Sequence, residues 1–348
     1  MKYNTYTLDN GLRIIHLPSD SKVVYCGYQI NAGTRDEEPG EEGLAHFCEH
    51  VTFKGTERRK AWHILNCLES VGGDLNAYTN KEGTVYYAAI LKEHIARAVD
   101  LLSDIVFHSV YPQVEIDKEV EVICDEIESY NDSPAELIYD EFENILFKGT
   151  SLGHNILGTA EQVRAFKTED ALRFTKKLYR PDNAIFFAYG DIDFKRLVKL
   201  LEKASASLLP EEGSADLQSA VSSNATLKAL CSADCKSAET PTESASSAKS
   251  AGPKKNSSVG EIEGQTIVMQ KNTHQAHVMI GTRAYDVHDD RRMPLYLLNN
   301  ILGGPGMNAK LNLALREHNG LVYTVESTMV AYGDTGTWSI YFGCDEHD

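Results

Sequence analysis

The sequence contains no run of about 18 apolar residues, which excludes a predicted transmembrane helix. The first eight residues, Met1 to Leu8, also lack the apolar stretch of a secretory signal peptide. Positive charge is scarce, since 34 Lys and Arg stand against 51 Asp and Glu, a formal net charge of −17. Such an acidic chain is poorly suited to bind nucleic acid or an anionic membrane, and we expect neither as a partner.

Cysteine is sparse and forms no disulfide framework. The seven cysteines are scattered along the chain, and an odd number without paired spacing is typical of a reducing compartment. A cytoplasmic protein is therefore predicted. The pair in the polar segment near residue 230 has no second pair close by, so it is not interpreted as a zinc site. The cysteines are Cys26, Cys48, Cys67, Cys124, Cys231, Cys235 and Cys344.

The order of the predicted elements indicates an α+β fold with two domains. A chain of 348 residues exceeds the size at which a single core usually divides, about 250–300 residues. Residues 1–208 read as strands, then helices, then a returning strand, a sheet backed by helices. Residues 209–262 are rich in Ser, Ala, Glu, Lys and Thr and are predicted to be a disordered polar linker.

Residues 263–348 repeat the order strand, helix, strand pair, which predicts a second, related half. This half is short and is expected to be incomplete, without closing helices. Its predicted elements are strands 265–269 and 277–282, helices 294–302 and 307–317, and a hairpin of 321–330 with 336–342.

The motif H-x-x-E-H at residues 46–50 is the inverse of the common zinc-protease motif H-E-x-x-H. On a helix, His46 and His50 lie one turn apart on the same face and can bind one Zn²⁺. Glu49 projects near that face and could take a proton from a water that zinc acidifies. The alternative is that both histidines are ordinary polar residues of a helix.

A catalytic zinc site usually has three protein ligands, so a third is required from another element. The acidic helix that begins near Pro112 offers Glu119 and Glu126, seven residues apart on one face and bordering its apolar stripe. Both are expected to face inward, where a carboxylate is costly unless it is paired or binds metal. Periodicity alone does not choose between them, and an acidic surface helix is the alternative.

Several segments together resemble the insulinase/pitrilysin family of zinc metallopeptidases. In that family the third ligand is a Glu about 76 residues after the second His, which here is Glu126. The acid seven residues earlier matches Glu119, which the resemblance implies orients His50 or its helix. One Zn²⁺ per chain is therefore expected. The matching segments are 43–50, 53–56, 72–79, 119–127, 157–161, 179–183 and 316–323.

The resemblance implies a peptidase in which Glu49 is the general base. Arg316 and Tyr323 match a pair that reaches the substrate near the zinc, and Tyr323 would help to stabilise the oxyanion. Asn76 and Ala77 match a strand that binds the peptide by strand addition. The alternatives are an exposed helix cation for Arg316 and an ordinary edge strand for Asn76 and Ala77.

The family encloses its substrate between two halves, so the resemblance implies peptides or unfolded segments as substrates. It also implies a homodimer or pairing with a related subunit. One rival hypothesis is a non-catalytic family subunit or scaffold partner, although no part of the zinc motif is missing. Another is a structural zinc or chaperone-like binding module, which a site with only three protein ligands disfavours.

Overall fold

The computed structural model describes residues 2–206, 208, 264–271 and 273–345. The chain divides into two compact units, Met1–Pro210 and Glu211–Asp348. The predicted linker 209–262, with Cys231 and Cys235, lies outside the described residues. Within the described ranges, none of the helices is long and apolar enough to cross a bilayer.

The first unit is built on a six-stranded mixed sheet. Its strand order is β1-β2-β6-β3-β5-β4, so β1 and β4 are the two edges. β2 and β6 are parallel, and the other neighbours are antiparallel. Alternation along the central strands buries one face in the core, as period-2 patterning requires. The strands are β1 (Asn4–Thr7), β2 (Arg13–Pro18), β3 (Val23–Ile30), β4 (Asp74–Thr79), β5 (Thr84–Leu91) and β6 (Ala184–Gly190).

The helices of the first unit pack against the buried face of this sheet and against one another. α3 shows how the sequence directs this packing, since its apolar residues recur every three or four positions and are buried. The helices are α1 (Leu44–Thr52), α2 (Ala61–Glu69), α3 (Ile95–Phe107), α4 (Gln113–Asn131), α5 (Pro134–Leu146), α6 (Ala160–Ala165), α7 (Thr168–Leu178) and α8 (Phe194–Ala204).

The start of α4 is fixed by an unusual backbone conformation. Tyr111 has φ of 48°, the one positive value for a non-glycine residue in the described chain. Its side chain is 1% exposed, and its carbonyl accepts a hydrogen bond from the Thr168 hydroxyl. Pro112 follows as the N-cap residue, where a missing N–H costs nothing. This buried corner sets the direction of α4, which carries both candidate acids.

The second unit contains a three-stranded antiparallel sheet of order β7-β9-β8. The first unit contains the same arrangement in β3, β5 and β4, where the last strand in sequence also lies between the other two. Each unit has α-helix between its first and second such strands, so the predicted relation between the halves is confirmed. The elements are β7 (Ala276–Ala284), α9 (Arg292–Gly303), β8 (Thr324–Ala331) and β9 (Gly336–Cys344).

One predicted element of the second unit was wrong, and another begins later than predicted. Residues 265–269 pair with no strand of the described residues, and Val268 is 87% exposed, because an apolar run without a neighbouring strand has no ladder to join. The predicted helix 307–317 is helical only from residue 310, where two α-helical residues lead into a π-helical segment, Asn312–Glu317. The amide of His318 donates to the carbonyl of Leu313, five residues earlier, which widens this last turn.

Candidate metal centre

α1 carries the H-x-x-E-H motif and is anchored at its first turn by a carboxylate. Gly43, the N-cap residue, has φ of 95° and no side chain that could cap the helix. The Glu37 carboxylate accepts the amides of Ala45 at 2.7 Å and Gly43 at 3.1 Å. His154 Nε2 lies 2.9 Å from the same carboxylate. A buried anion therefore satisfies amides that would otherwise lack partners.

The three predicted ligands lie together in the structure. His46 Nε2 lies 3.8 Å from Glu126 Oε1, and His50 Nε2 lies 3.3 Å from Glu126 Oε2. One ligand atom from each residue can be chosen so that all three lie within 4.8 Å of one another. Within the described residues this is the one group of His, Cys and acidic side chains with such geometry.

The two candidate acids of α4 differ in exposure, which corrects the expectation that both face inward. The side chain of Glu119 is 12% exposed, whereas that of Glu126 is 46% exposed. Seven residues correspond to slightly less than two full turns, so side chains at this spacing do not share an identical environment. Both histidines thus approach Glu126 where the site opens to solvent, and His50 alone contacts Glu119 where the site is closed.

Glu119 connects the second histidine to a lysine. One carboxylate oxygen of Glu119 lies 3.0 Å from His50 Nδ1, and the other lies 2.5 Å from Lys54 Nζ. Burial raises the pKa of Glu119, but hydrogen bonds from His50 and Lys54 outweigh burial and hold the pKa below its usual range. An ionised Glu119 accepts from Nδ1 and leaves Nε2 of His50 directed at Glu126.

The pKa values of the two histidines are shifted in opposite directions. Burial, reinforced by the charge of His50, lowers the pKa of His46 to about 4, so His46 is neutral near pH 7. Burial also lowers the pKa of His50, but Glu119 and Glu126 outweigh it and raise the pKa to about 9. His46 therefore presents a lone pair, while His50 would release a proton on binding a cation.

Glu49 is buried beside this cluster, with 9% of its surface exposed. Its Oε2 accepts a hydrogen bond of 2.6 Å from the Thr79 hydroxyl. Burial raises the pKa of Glu49, and the hydrogen bond from Thr79 partly offsets this. A carboxyl whose pKa is raised toward neutrality is better matched to proton transfer than an exposed one.

The donor set fits zinc on chemical and geometric grounds. Two imidazoles and one carboxylate form a three-ligand set used by catalytic zinc, with a fourth position left for water or substrate. Ligands about 2.0–2.2 Å from a tetrahedral zinc lie about 3.3–3.6 Å apart. The observed spacings of 3.3 and 3.8 Å between the imidazole nitrogens and Glu126 are close to this requirement.

The predicted substrate residues Asn76 and Ala77 lie on β4, an edge strand of the sheet. Asn76 is exposed and Ala77 is half-buried. The amide of Ala77 donates to the side-chain oxygen of Asn76 at 2.8 Å, so it is not paired with β5. An amide of this kind can be offered to an added strand once the Asn76 side chain moves.

Arg316 and Tyr323 belong to the second unit. Arg316 lies in the π-helical segment with its side chain 50% exposed, and its Nε is 3.7 Å from a carboxylate oxygen of Glu317. Tyr323 is 54% exposed, and its hydroxyl donates to Asp345 at 3.0 Å. Both side chains are therefore accessible on the surface of their own unit.

Sequence reasoning missed three residues that support the site, namely Glu37, Lys54 and Thr79. A signal existed for Lys54, which follows His50 by four residues, although it lies past the end of α1. Thr79 closes the strand that was predicted to bind substrate, but its contact with Glu49 spans 30 residues. Glu37 lies in an acidic loop, and nothing in the sequence distinguishes it from the other acids of that loop.

Comparisons with known proteins found family models and relatives that match this chain. Residues 14–160 match the model of insulinase, peptidase family M16, and residues 165–348 match that of the peptidase M16 inactive domain. An uncharacterized zinc protease of Bacillus subtilis, YmxG, is 32% identical over 340 residues, 97% of this chain and 73% of that protein. An uncharacterized zinc protease of Rickettsia bellii is also 32% identical, with the same two coverages.

Solved structures show the same fold. A protease from Helicobacter pylori superposes with a TM-score of 0.80 at 21% identity, covering 99% of this chain and 75% of that one. A peptidase M16 inactive domain from Pseudomonas fluorescens gives a TM-score of 0.77 at 17% identity, with the same coverages. With two matching family models and relatives of 32% identity, this chain belongs to the insulinase family of peptidases, family M16.

Proposed function

We propose that this protein is a zinc-dependent endopeptidase that hydrolyses peptides or unfolded polypeptide segments. The convergence of His46 Nε2, His50 Nε2 and the Glu126 carboxylate, with Glu49 buried beside them, carries the proposal. The names of the relatives, zinc proteases, support the same chemistry. The complete ligand set lies within the segment that matches the insulinase model, not in the segment that matches the inactive domain.

His46, His50 and Glu126 would hold one zinc ion per chain. A zinc ion in this position would supply a Lewis acid that acidifies water and polarises a peptide carbonyl group. Glu119 accepts from Nδ1 of His50 and so keeps Nε2 pointed into the site. The neutral state of His46 means that its nitrogen is available without the loss of a proton.

Glu49 would act as the general base and then as the general acid. Its carboxylate would accept a proton from the attacking water and deliver that proton to the leaving amine. The hydrogen bond from Thr79 restricts the motion of this carboxylate. General base catalysis of this kind accounts for about 10²–10⁴ of the rate enhancement in enzymes.

The peptide would bind in an extended conformation along the open edge of β4. Asn76 and Ala77 would supply backbone hydrogen bonds there, which recognise an extended chain irrespective of its sequence. This mode favours peptides and unfolded segments, since a folded protein rarely offers a free strand. Arg316 and Tyr323 are proposed to contribute from the second unit, and pairing of chains is proposed on the family resemblance.

The decisive experiment compares zinc content and peptide hydrolysis in the parent and in Glu49→Gln. We expect both proteins to bind about one zinc, while hydrolysis of an unstructured peptide library falls by at least about 10²-fold in the variant. Glu128→Gln is the matched control, because Glu128 is an exposed residue of α4. A zinc-loaded parent that cleaves no peptide would refute the proposal and favour a non-catalytic family subunit.

A further inference from the structure

Thr79 is the last residue of β4 and lies on the face of that strand that packs toward α1. Side chains alternate along a strand, so Leu75, Ala77 and Thr79 share this face. All three are half-buried, whereas Asn76 and Tyr78 on the other face are exposed. The side chain of Thr79 therefore lies between the backbone of β4, the strand proposed to bind the substrate, and α1, the helix that carries Glu49.

The direction of the hydrogen bonds around Thr79 follows from the hydroxyl protons available and from the lengths of its two contacts. The Thr84 hydroxyl donates its single proton to the Ala32 carbonyl at 2.8 Å, so toward Thr79 it can only accept. The Thr79 hydroxyl lies 3.4 Å from the Thr84 oxygen but 2.6 Å from Oε2 of Glu49. The shorter contact has the length of a charge-assisted O–H···O⁻ bond, so Thr79 donates to Glu49.

Because of this bond, the two carboxylate oxygens of Glu49 differ in their hydrogen bonding. Oε2 is occupied by Thr79, while Oε1 accepts no hydrogen bond from the described residues. A threonine has few χ1 rotamers because its Cβ is branched, and its backbone is held by pairing with Thr84 of β5. The donor is therefore nearly fixed in space, and it fixes the carboxylate plane.

We propose that Thr79 is a positioning residue for the general base, holding Oε2 of Glu49 so that Oε1 faces the attacking water. This inference rests on the proposed function and deepens it. Since Thr79 and Ala77 lie two residues apart on one strand, a peptide that adds to β4 is aligned by the same element that aligns the base. Correct docking of the substrate and correct orientation of Glu49 are thus coupled through three residues of backbone.

Kinetics of Thr79→Val and Thr79→Ser in the zinc-loaded, full-length protein test this role. Valine has nearly the same shape but no hydroxyl, and we expect kcat to fall about 10- to 100-fold with KM changed less than about 2-fold. Serine keeps the donor and should restore kcat to within about 3-fold of the parent. Thr5→Val, at an exposed position of β1, should leave both constants unchanged. An unchanged kcat in Thr79→Val, or a change in KM alone, would overturn the proposal.

A double-mutant cycle in thermal unfolding provides a measure that does not depend on hydrolysis. Thr79→Val should lower Tm by about 2–4 °C in the parent and by much less in a Glu49→Ala background, because its partner is then absent. Equal shifts in both backgrounds would show that the contact does not exist. If the cycle shows coupling but the parent cleaves nothing, the proposed function and the positioning role fall together while the contact stands.

Discussion

At the scale of single residues, Lys54 and Glu119, which lie outside the proposed ligand set, hold the His50 ring in its orientation. Lys54 Nζ contacts one oxygen of Glu119, and the other oxygen holds Nδ1 of His50. Such partners of a metal ligand commonly contribute 10- to 100-fold, in order of magnitude, to metal affinity, because they fix the ring and its tautomer. The lysine thus stabilises the charge on Glu119 that keeps the imidazole oriented.

Replacement of Lys54 by Met should therefore weaken zinc binding without removing a ligand. We expect the Kd for zinc to rise about 10-fold, because Glu119 loses the cation that balances its buried charge. Competition against a chromophoric chelator measures this change directly. Lys118→Met is the control, since Lys118 is exposed and pairs with Glu115 on the surface of α4. Equal affinities in the two variants would show that Lys54 has no influence on the site.

At the scale of elements, the site is where α1, α4 and β4 meet, and each is held by a particular contact. α4 begins at the strained Tyr111 and Pro112 corner, β4 pairs with β5, and α1 is capped by Glu37. The side chain of Glu37 is only 1% exposed. A carboxylate buried at a helix N-terminus is favourable only while its donors remain in place.

Glu37→Ala should destabilise the first unit, because the amides of Gly43 and Ala45 and the His154 ring lose their common acceptor. We expect the free energy of unfolding to fall by about 2–3 kcal/mol, measured by chemical denaturation. The neighbouring substitution Glu38→Ala removes an exposed ion pair with Lys177 and should leave the free energy of unfolding almost unchanged. If the two variants unfold at the same denaturant concentration, Glu37 does not anchor α1.

Several elements of the first unit could be predicted from the sequence within one or two residues, since their apolar residues recur with a clear period. Alternation predicts a strand over 74–79, which is β4 as observed, and the zinc motif predicts a helix over 43–53, which is α1 with one residue fewer at each end. In contrast, 265–269 has strand composition without a partner strand, which local pattern cannot reveal. The widened turn at 312–317 depends on backbone bonds that helical periodicity does not distinguish.

The ligand set was predictable only in part for a related reason. His46, Glu49 and His50 lie on one helix, where spacing fixes which side chains share a face. Periodicity could not separate Glu119 from Glu126, because the choice depends on how α4 crosses α1. The contacts of Glu49 with Thr79 and of Glu119 with Lys54 join different elements, and no local pattern encodes them.

At the scale of the whole molecule, every ligand candidate and the proposed general base lie in the first unit. A ligand that binds only the folded state stabilises the part of the protein that it contacts, by about 2.7 kcal/mol at 100 times its Kd. The effect of zinc should therefore be local and should be visible as slower opening of the elements that supply its ligands.

Removal of zinc by a chelator should increase amide hydrogen exchange in α1 and α4 and leave β7, β8 and β9 unchanged. Mass spectrometry of peptic fragments measures both regions in one experiment. Glu126→Ala is the control, because its exchange should not respond to zinc. Faster exchange in the second unit to the same extent would contradict a site confined to the first.

The distance along the chain between the ligands has a further consequence. His50 and Glu126 are 76 residues apart in sequence, yet their side chains lie 3.3 Å from each other. An ion bound by both would act as a reversible cross-link, and closing a loop of this length is worth about 4.5 kcal/mol in the chain-entropy description of cross-links. A disulfide gives small secreted proteins the same benefit. In this protein the proposed zinc ion would also cross-link α1 and α4 of the first unit.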